Sequence, residues 1–282
     1  MMKTSDNIKE TRELLKPYRE GKIALVPTMG YLHEGHMALV AKAREHADFV
    51  VLSLFVNPLQ FGPDEDLDTY PRDLARDLKI CEENGVDFVF HPSEEEMYPK
   101  TPELGLNLAS MSSILDGLKR PGHFEGVVTV VNKLFNIIEP DFAVFGEKDR
   151  QQLMIIQRMV EDFNHDLEII GVPTAREPDG LAKSSRNVNL TDAEREEAPA
   201  IHQALEIGRD LVLEGETDIE SVKERIEMHI MDHTSGEMDD LQIFTHPDLN
   251  TIQTVSTDVI IFIAVKFERV RLIDNMLVII ND

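Results

Sequence analysis

Five short apolar runs, rich in β-branched and aromatic side chains, recur at residues 23–26, 49–56, 86–90, 142–145 and 167–172. Between them apolar positions fall at helical spacing, as in Leu74, Leu78, Ile80 and Cys81, or in Val127, Val130, Val131, Leu134, Ile137 and Ile138. Mostly apolar strands alternating with such helices predict a parallel sheet with covering helices, a Rossmann-like α/β architecture. Ligands of such sheets bind beyond the carboxyl ends of the strands. Three polar clusters hold that position: residues 27–36 after the first run, 57–62 after the second and 146–149 after the fourth. All three are expected on one edge of the sheet.

The pattern changes after residue 172. Pro173, Pro178 and Gly180 make a turn-rich stretch that reads as a hinge. Thr191 with Glu194, and Thr217 with Glu220, have the spacing of capping boxes that open helices. Runs at 241–244, 259–265 and 269–273 then read as short strands. The expected organisation is a Rossmann-like α/β domain over residues 1–175 and a smaller α+β domain over residues 176–282.

Composition narrows this picture. A chain of 282 residues exceeds most single cores, in keeping with two domains. The longest apolar run, at 259–265, is far too short for a membrane span, and the first residues lack the pattern of a secretory signal. One cysteine, Cys81, leaves no internal disulfide framework and fits a reducing compartment, so a cytoplasmic location with no membrane partner is expected. The net charge of −25 weighs against a nucleic-acid partner, because such a surface repels phosphate backbones. Its ordinary reading is solubility; the sharper one is a salt-adapted host.

The chemistry concentrates at residues 27–36. Gly30 and Gly35 let backbone approach a ligand closely, a helix start offers N–H groups and a positive dipole end, and His33 and His36 add side-chain donors. These features predict a phosphate site at a strand-to-helix turn. A second cluster, Lys183, Ser184, Ser185, Arg186 and Asn187, places two hydroxyls between two cations, a set suited to phosphate oxygens. His33 and His36 have the spacing of a zinc pair, but no matching ligands accompany them.

With these residues in place, the chain resembles the pantothenate synthetase family of the nucleotidyltransferase superfamily, which includes class I aminoacyl-tRNA synthetases. The resemblance runs through nearly the whole sequence. It is carried by Val26 to Gly30, the His33-Glu34-Gly35-His36 motif, Phe55 to Gly62, Tyr70-Pro71-Arg72, His123 to Gly126, Phe145 to Asp149, Gln151-Gln152, Ser184 to Asn187 and Arg271 to Asn275. It implies a ligase that joins pantoate to β-alanine using ATP and Mg²⁺, through a pantoyl-adenylate, in a homodimer.

The resemblance also implies roles. Met29, Gly30, Tyr31, Leu32, His33, Glu34, Gly35 and His36 would contact ATP, with His36 as proton donor and His33 as phosphate partner. Gly146, Glu147, Lys148 and Asp149 would hold the nucleotide, together with Ala175, Lys183, Ser184, Ser185 and Arg186, the last four opening a domain that closes as a lid. His36, His33, Lys148 and Arg186 would be catalytic. Gln60 and Gln152 would orient pantoate, with Asn57 beside them and Val130 and Val131 against its gem-dimethyl group. Asp77, a lone helical carboxylate, is the candidate for the Mg²⁺ region.

Two positions depart from the family's usual pattern. Lys183 stands where methionine is usual, and Arg150 where an aromatic is usual. Other readings fit less of the chain. An adenylyltransferase of the phosphopantetheine type leaves the second domain and the Gln60/Gln152 pair unexplained, a non-catalytic nucleotide binder has no need of His36 or Arg186, and a tRNA synthetase is disfavoured by length and charge.

Overall fold

A computed structural model describes residues 2–63, 65, 67–108 and 110–280. The chain divides into two compact units, Met1–Pro173 and Thr174–Asp282. The division falls two residues before the expected boundary.

The first unit runs β1 (Lys3–Ser5), α1 (Ile8–Leu15), β2 (Ile23–Thr28), α2 (Glu34–His46), β3 (Phe49–Leu54), α3 (Leu74–Glu83), β4 (Phe88–Phe90), α4 (Glu94–Met97), α5 (Leu115–Lys119), α6 (His123–Ile138), β5 (Phe142–Gly146), α7 (Arg150–Phe163) and β6 (Glu168–Val172). Its six strands lie in the order β1-β4-β3-β2-β5-β6 and pair in parallel throughout. The five expected strands are present. β1 escapes the apolar pattern because its three residues, Lys3, Thr4 and Ser5, are polar and pair at an edge with β4.

Successive strand residues point to opposite faces, so the sheet carries a core on each side. Ile23, Leu25, Phe49 and Val51 pack with Val127, Val131 and Leu134 of α6 and Ile155 and Ile156 of α7. Ala24, Val26, Val50 and Leu52 pack with Leu39, Val40 and Ala43 of α2 and Cys81 of α3. Each fully buried Leu, Ile or Val contributes on the order of 1.5–3 kcal/mol, and this two-sided burial demands the uninterrupted apolar strands seen in the sequence.

The strand order fixes where a ligand can sit. From β2 the chain moves to β3 on one side, and only later crosses to β5 on the other. The carboxyl ends of β2 and β5 therefore flank the topological switch point, where open α/β sheets hold their ligands.

The second unit contains α8 (Asp192–Glu197), α9 (Ala200–Leu213), α10 (Ile219–His233) and an antiparallel sheet of β7 (Glu237–Thr245), β8 (Val259–Lys266) and β9 (Arg271–Val278). Val259, Ile261, Ile263 and Val265 of β8 pack with Ala204, Leu205, Ile226 and Ile230 of the helices. The Thr191–Glu194 capping box forms as expected. The second box does not: Asp218 is the N-cap of α10, accepting from the backbone N–H of Ser221, while the carbonyl of Thr217 accepts from Val255 N–H. A carboxylate one residue on takes the task that spacing assigned to threonine.

The stretch read as a hinge is a tight hairpin. Arg176 pairs with Ala182, Lys183 N–H donates to the Ala175 carbonyl, and the Arg176 guanidinium makes a bidentate pair with buried Asp274 of β9 at 2.6 and 3.0 Å. From Thr174 onward it belongs to the second unit.

Candidate active site

The turn between β2 and α2 is built against strain. Gly30 and Tyr31 are both left-handed, with φ of 86° and 51°, and a Cβ at Gly30 would stand 3.0 Å from a carboxylate oxygen of Asp77. Glycine is thus required at residue 30 by backbone and space alike. Gly35 is required differently: a side chain there would meet the His33 ring at 2.9 Å.

His33 is the N-cap of α2 and His36 its third helical residue. Nδ1 of His33 accepts from Gly35 N–H at 3.1 Å, and Nδ1 of His36 accepts from His33 N–H at 3.2 Å, a capping box made of two imidazoles. A ring nitrogen that accepts carries no proton, so each neutral imidazole carries its N–H on Nε2. The rings lie 4.1 Å apart. Burial, reinforced by His33, lowers the pKa of His36 to about 3, with Asp149 opposing the shift. His36 is therefore a neutral hydrogen-bond donor at neutral pH, rather than an imidazolium adding positive charge.

The backbone of the turn is equally committed. N–H groups of Gly30, Tyr31, Leu32, His33, Gly35, His36 and Met37 donate to Thr28 Oγ1, the two Asp77 carboxylate oxygens, His36, His33 and, for the last two, the His33 carbonyl. The expected cradle of unpaired backbone N–H groups is thus largely used internally. With both Nδ1 atoms accepting, the donor that each neutral imidazole has to offer is its Nε2–H.

After β3, Asn57 caps a 3-10 turn over Pro58–Gln60. Asn57 is 1% exposed, and its side chain accepts from Tyr98 Oη at 2.9 Å and donates to Gln60 Oε1 at 3.1 Å and to the Gly126 carbonyl at 3.0 Å. Asn57, expected beside the substrate, braces the turn through these bonds within the protein. Gln60, held by it, directs Nε2 to the thioether of Met29 at 3.2 Å, a weak acceptor. The bond from Tyr98 to Asn57 was not legible in the sequence; an isolated tyrosine in a polar stretch carries no signal of its own.

The Gln151-Gln152 pair separates into two tasks. Gln151 is buried, donating to the carbonyls of Met111 and Ile114 and accepting from Asp116 N–H. Gln152 is half-buried and makes no hydrogen bond among the described residues. Val130 and Val131 are buried in the α6 core face.

After β5, Glu147–Asp149 forms a 3-10 turn leading into α7. Arg150 pairs with Glu147 at 2.7 Å and is nearly buried, so the unusual arginine is matched by a carboxylate of the same segment. Lys148 Nζ lies 3.9 Å from Asp149. In the second unit Ser184 caps the 3-10 turn Ser185–Asn189, and Lys183 lies 3.9 Å from Glu177. Arg186 is exposed and forms no ion pair among the described residues.

Asp77 does not sit as an open metal ligand. It is 2% exposed, and its two oxygens accept from Tyr31 and Leu32 N–H at 2.7 and 2.9 Å. Among the described residues no group of three or more His, Cys, Asp or Glu side chains is placed to hold a metal, for zinc or otherwise.

A doubly wound parallel sheet with a histidine-capped helix at its switch point, followed by a small α+β unit, defines the chain as an α/β enzyme of the Rossmann-like class. The chain belongs to the pantoate–β-alanine ligase family, whose model matches residues 3–277. Similar relatives include the pantothenate synthetase of Bacillus pumilus, 49% identical with 98% of this chain and 96% of the relative covered, and that of Geobacillus thermodenitrificans, 49% identical with 96% and 95% covered. Among solved structures, the pantothenate synthetase of Thermus thermophilus superposes with a TM-score of 0.91 at 43% identity, covering 98% of this chain and 99% of that one. The pantoate–β-alanine ligase of Francisella tularensis, complexed with beta-gamma ATP and β-alanine, gives 0.79 at 38% identity, with 98% of each chain covered.

Proposed function

We propose that the protein condenses (R)-pantoate with β-alanine, consuming ATP and releasing AMP and pyrophosphate, as a pantothenate synthetase. The observation that carries this reading is the family match along essentially the whole chain, including relatives 49% identical.

In the first step a pantoate carboxylate oxygen bonds to the α-phosphorus as the bond to the pyrophosphate oxygen breaks. Negative charge builds on phosphoryl oxygens and the leaving group. The proposed donors to it are the Nε2–H groups of His36 and His33, with Lys148 and Arg186; fixed donors in a partly desolvated turn gain most when charge develops. Residues 29–36, Gly146, Glu147 and Asp149 would hold the nucleotide, and Ala175, Lys183, Ser184 and Ser185 are further proposed nucleotide contacts. In the second step the β-alanine nitrogen attacks the acyl carbonyl, AMP departs and the nitrogen loses a proton.

Gln60 and Gln152 would orient pantoate. Amides suit an acid that must remain nucleophilic, since they bind without neutralising it. The thioether now facing Gln60 Nε2 is easily exchanged for a better acceptor. Val130 and Val131 would meet the gem-dimethyl group. Mg²⁺, if bound with ATP, would supply neutralisation of phosphate charge; such an ion needs only one or two carboxylates besides phosphate and water. The assembly is read as a homodimer and the location as cytoplasmic, the latter supported by a single buried thiol.

The test is product stoichiometry. One pantothenate, one AMP and one pyrophosphate per turnover, with each acid required, is expected; ADP and phosphate as products would contradict the reading.

A further inference from the structure

The strained turn at Gly30 and Tyr31 is gripped by two adjacent residues of α3, and the grip is more extensive than packing requires. Asp77 takes both N–H groups of Tyr31 and Leu32 on its two oxygens. Arg76 donates to the Leu32 carbonyl at 2.8 Å and to Asp77 at 3.3 Å, and its guanidinium lies over the Tyr31 ring, 4.9 Å from the centroid. Two consecutive left-handed residues, one of them a tyrosine, cost conformational energy that something nearby must offset. A buried carboxylate accepting two backbone N–H groups is a strong source of such stabilisation.

We propose that Asp77 is a positioning residue that holds the left-handed Gly30–Tyr31 turn and thereby aims His33 and His36, with Arg76 as its support. This rests on the adenylate-forming reading of the site. Leu32, fully buried, and His33, the helix cap, follow directly from the two N–H groups that Asp77 holds. Loosening that hold would let the helix start, and both imidazoles, depart from the geometry that in-line attack requires, where small misplacements are costly.

The test is Asp77→Asn, alone and combined with Tyr31→Gly. Asparagine offers one acceptor oxygen, so one of the two N–H groups loses its partner. Amide hydrogen exchange in the folded protein without substrates should show protection at Tyr31 and Leu32 falling about 10-fold or more in Asp77→Asn. The kcat of pantoate-dependent pyrophosphate–ATP exchange should fall about 10- to 100-fold, with the pantoate KM changed much less. In the Tyr31→Gly background, where a left-handed backbone is unstrained, the same Asp77→Asn change should cost several-fold less; coupling of this kind separates relief of strain from a general loss of fold. Unchanged amide protection, equal cost in both backgrounds, or a rate restored by raising Mg²⁺ would overturn the proposal. A wild-type protein with no pantoate-dependent exchange would instead defeat the functional reading, leaving the amide-protection result to judge the turn by itself.

Discussion

At the scale of single residues, the two histidines matter most, and the structure changes what they are. The motif was legible in sequence, but its state was not: Nδ1 of each ring is tied to backbone, and burial lowers His36 to about 3. His36→Ala and Arg186→Ala are each expected to slow adenylation by roughly 10²-fold or more, as for lost transition-state donors, measured by single-turnover pyrophosphate release with pantoate and ATP. Near-normal turnover in either would contradict their roles. The pH dependence follows in sign. A histidine whose folded pKa lies below its unfolded value of about 6.5 stays neutral when folded, whereas the unfolded chain takes up the proton. Its contribution to stability is complete above about pH 6.5 and is lost as pH falls toward 3. Thermal midpoints of the wild type should decline between pH 6.5 and 5, and His36→Gln should decline less steeply over that interval. Parallel slopes would show that His36 already titrates normally when folded.

At the scale of elements, apolar runs located β2 to β6 of the parallel sheet because burial on both faces favours Val, Ile, Leu and Phe at most positions, whereas β7 and β9, with polar residues along them, were located only in part. Features that do not use burial were hidden. β1 is three polar residues held by backbone pairing to β4, and the cap of α10 depends on which of two adjacent oxygen-bearing side chains reaches Ser221. The contacts of Asp77 and Tyr98 were hidden for a related reason: each is made to a partner 41 or more residues away, Tyr31 for one and Asn57 for the other, and pattern along the chain does not report such pairs. The Tyr98–Asn57–Gln60 series makes its own prediction. Tyr98→Phe removes one hydroxyl from a buried network, leaving Asn57 one partner short, and should raise the pantoate KM about 3- to 10-fold while the ATP KM stays near its wild-type value. An unchanged pantoate KM in steady-state kinetics would show that Gln60 keeps its place without the tyrosine.

At the scale of the whole molecule, a chain with net charge −25 must suffer self-repulsion, and two of its substrates, ATP and pantoate, are anions as well. Salt screens exposed charge over about 8–10 Å at physiological ionic strength. The thermal midpoint should therefore rise by a few degrees as NaCl is increased from about 20 to 500 mM; a fall would show that attractive pairs, such as Arg44 with Asp87 and Arg120 with Glu65, outweigh the repulsion. The central claim is that this site activates a hydroxy acid by joining it to AMP. It is tested most directly by exchange of labelled pyrophosphate into ATP with pantoate present and β-alanine absent. The account predicts rapid exchange that requires pantoate; exchange without pantoate, or none until β-alanine is added, would contradict it.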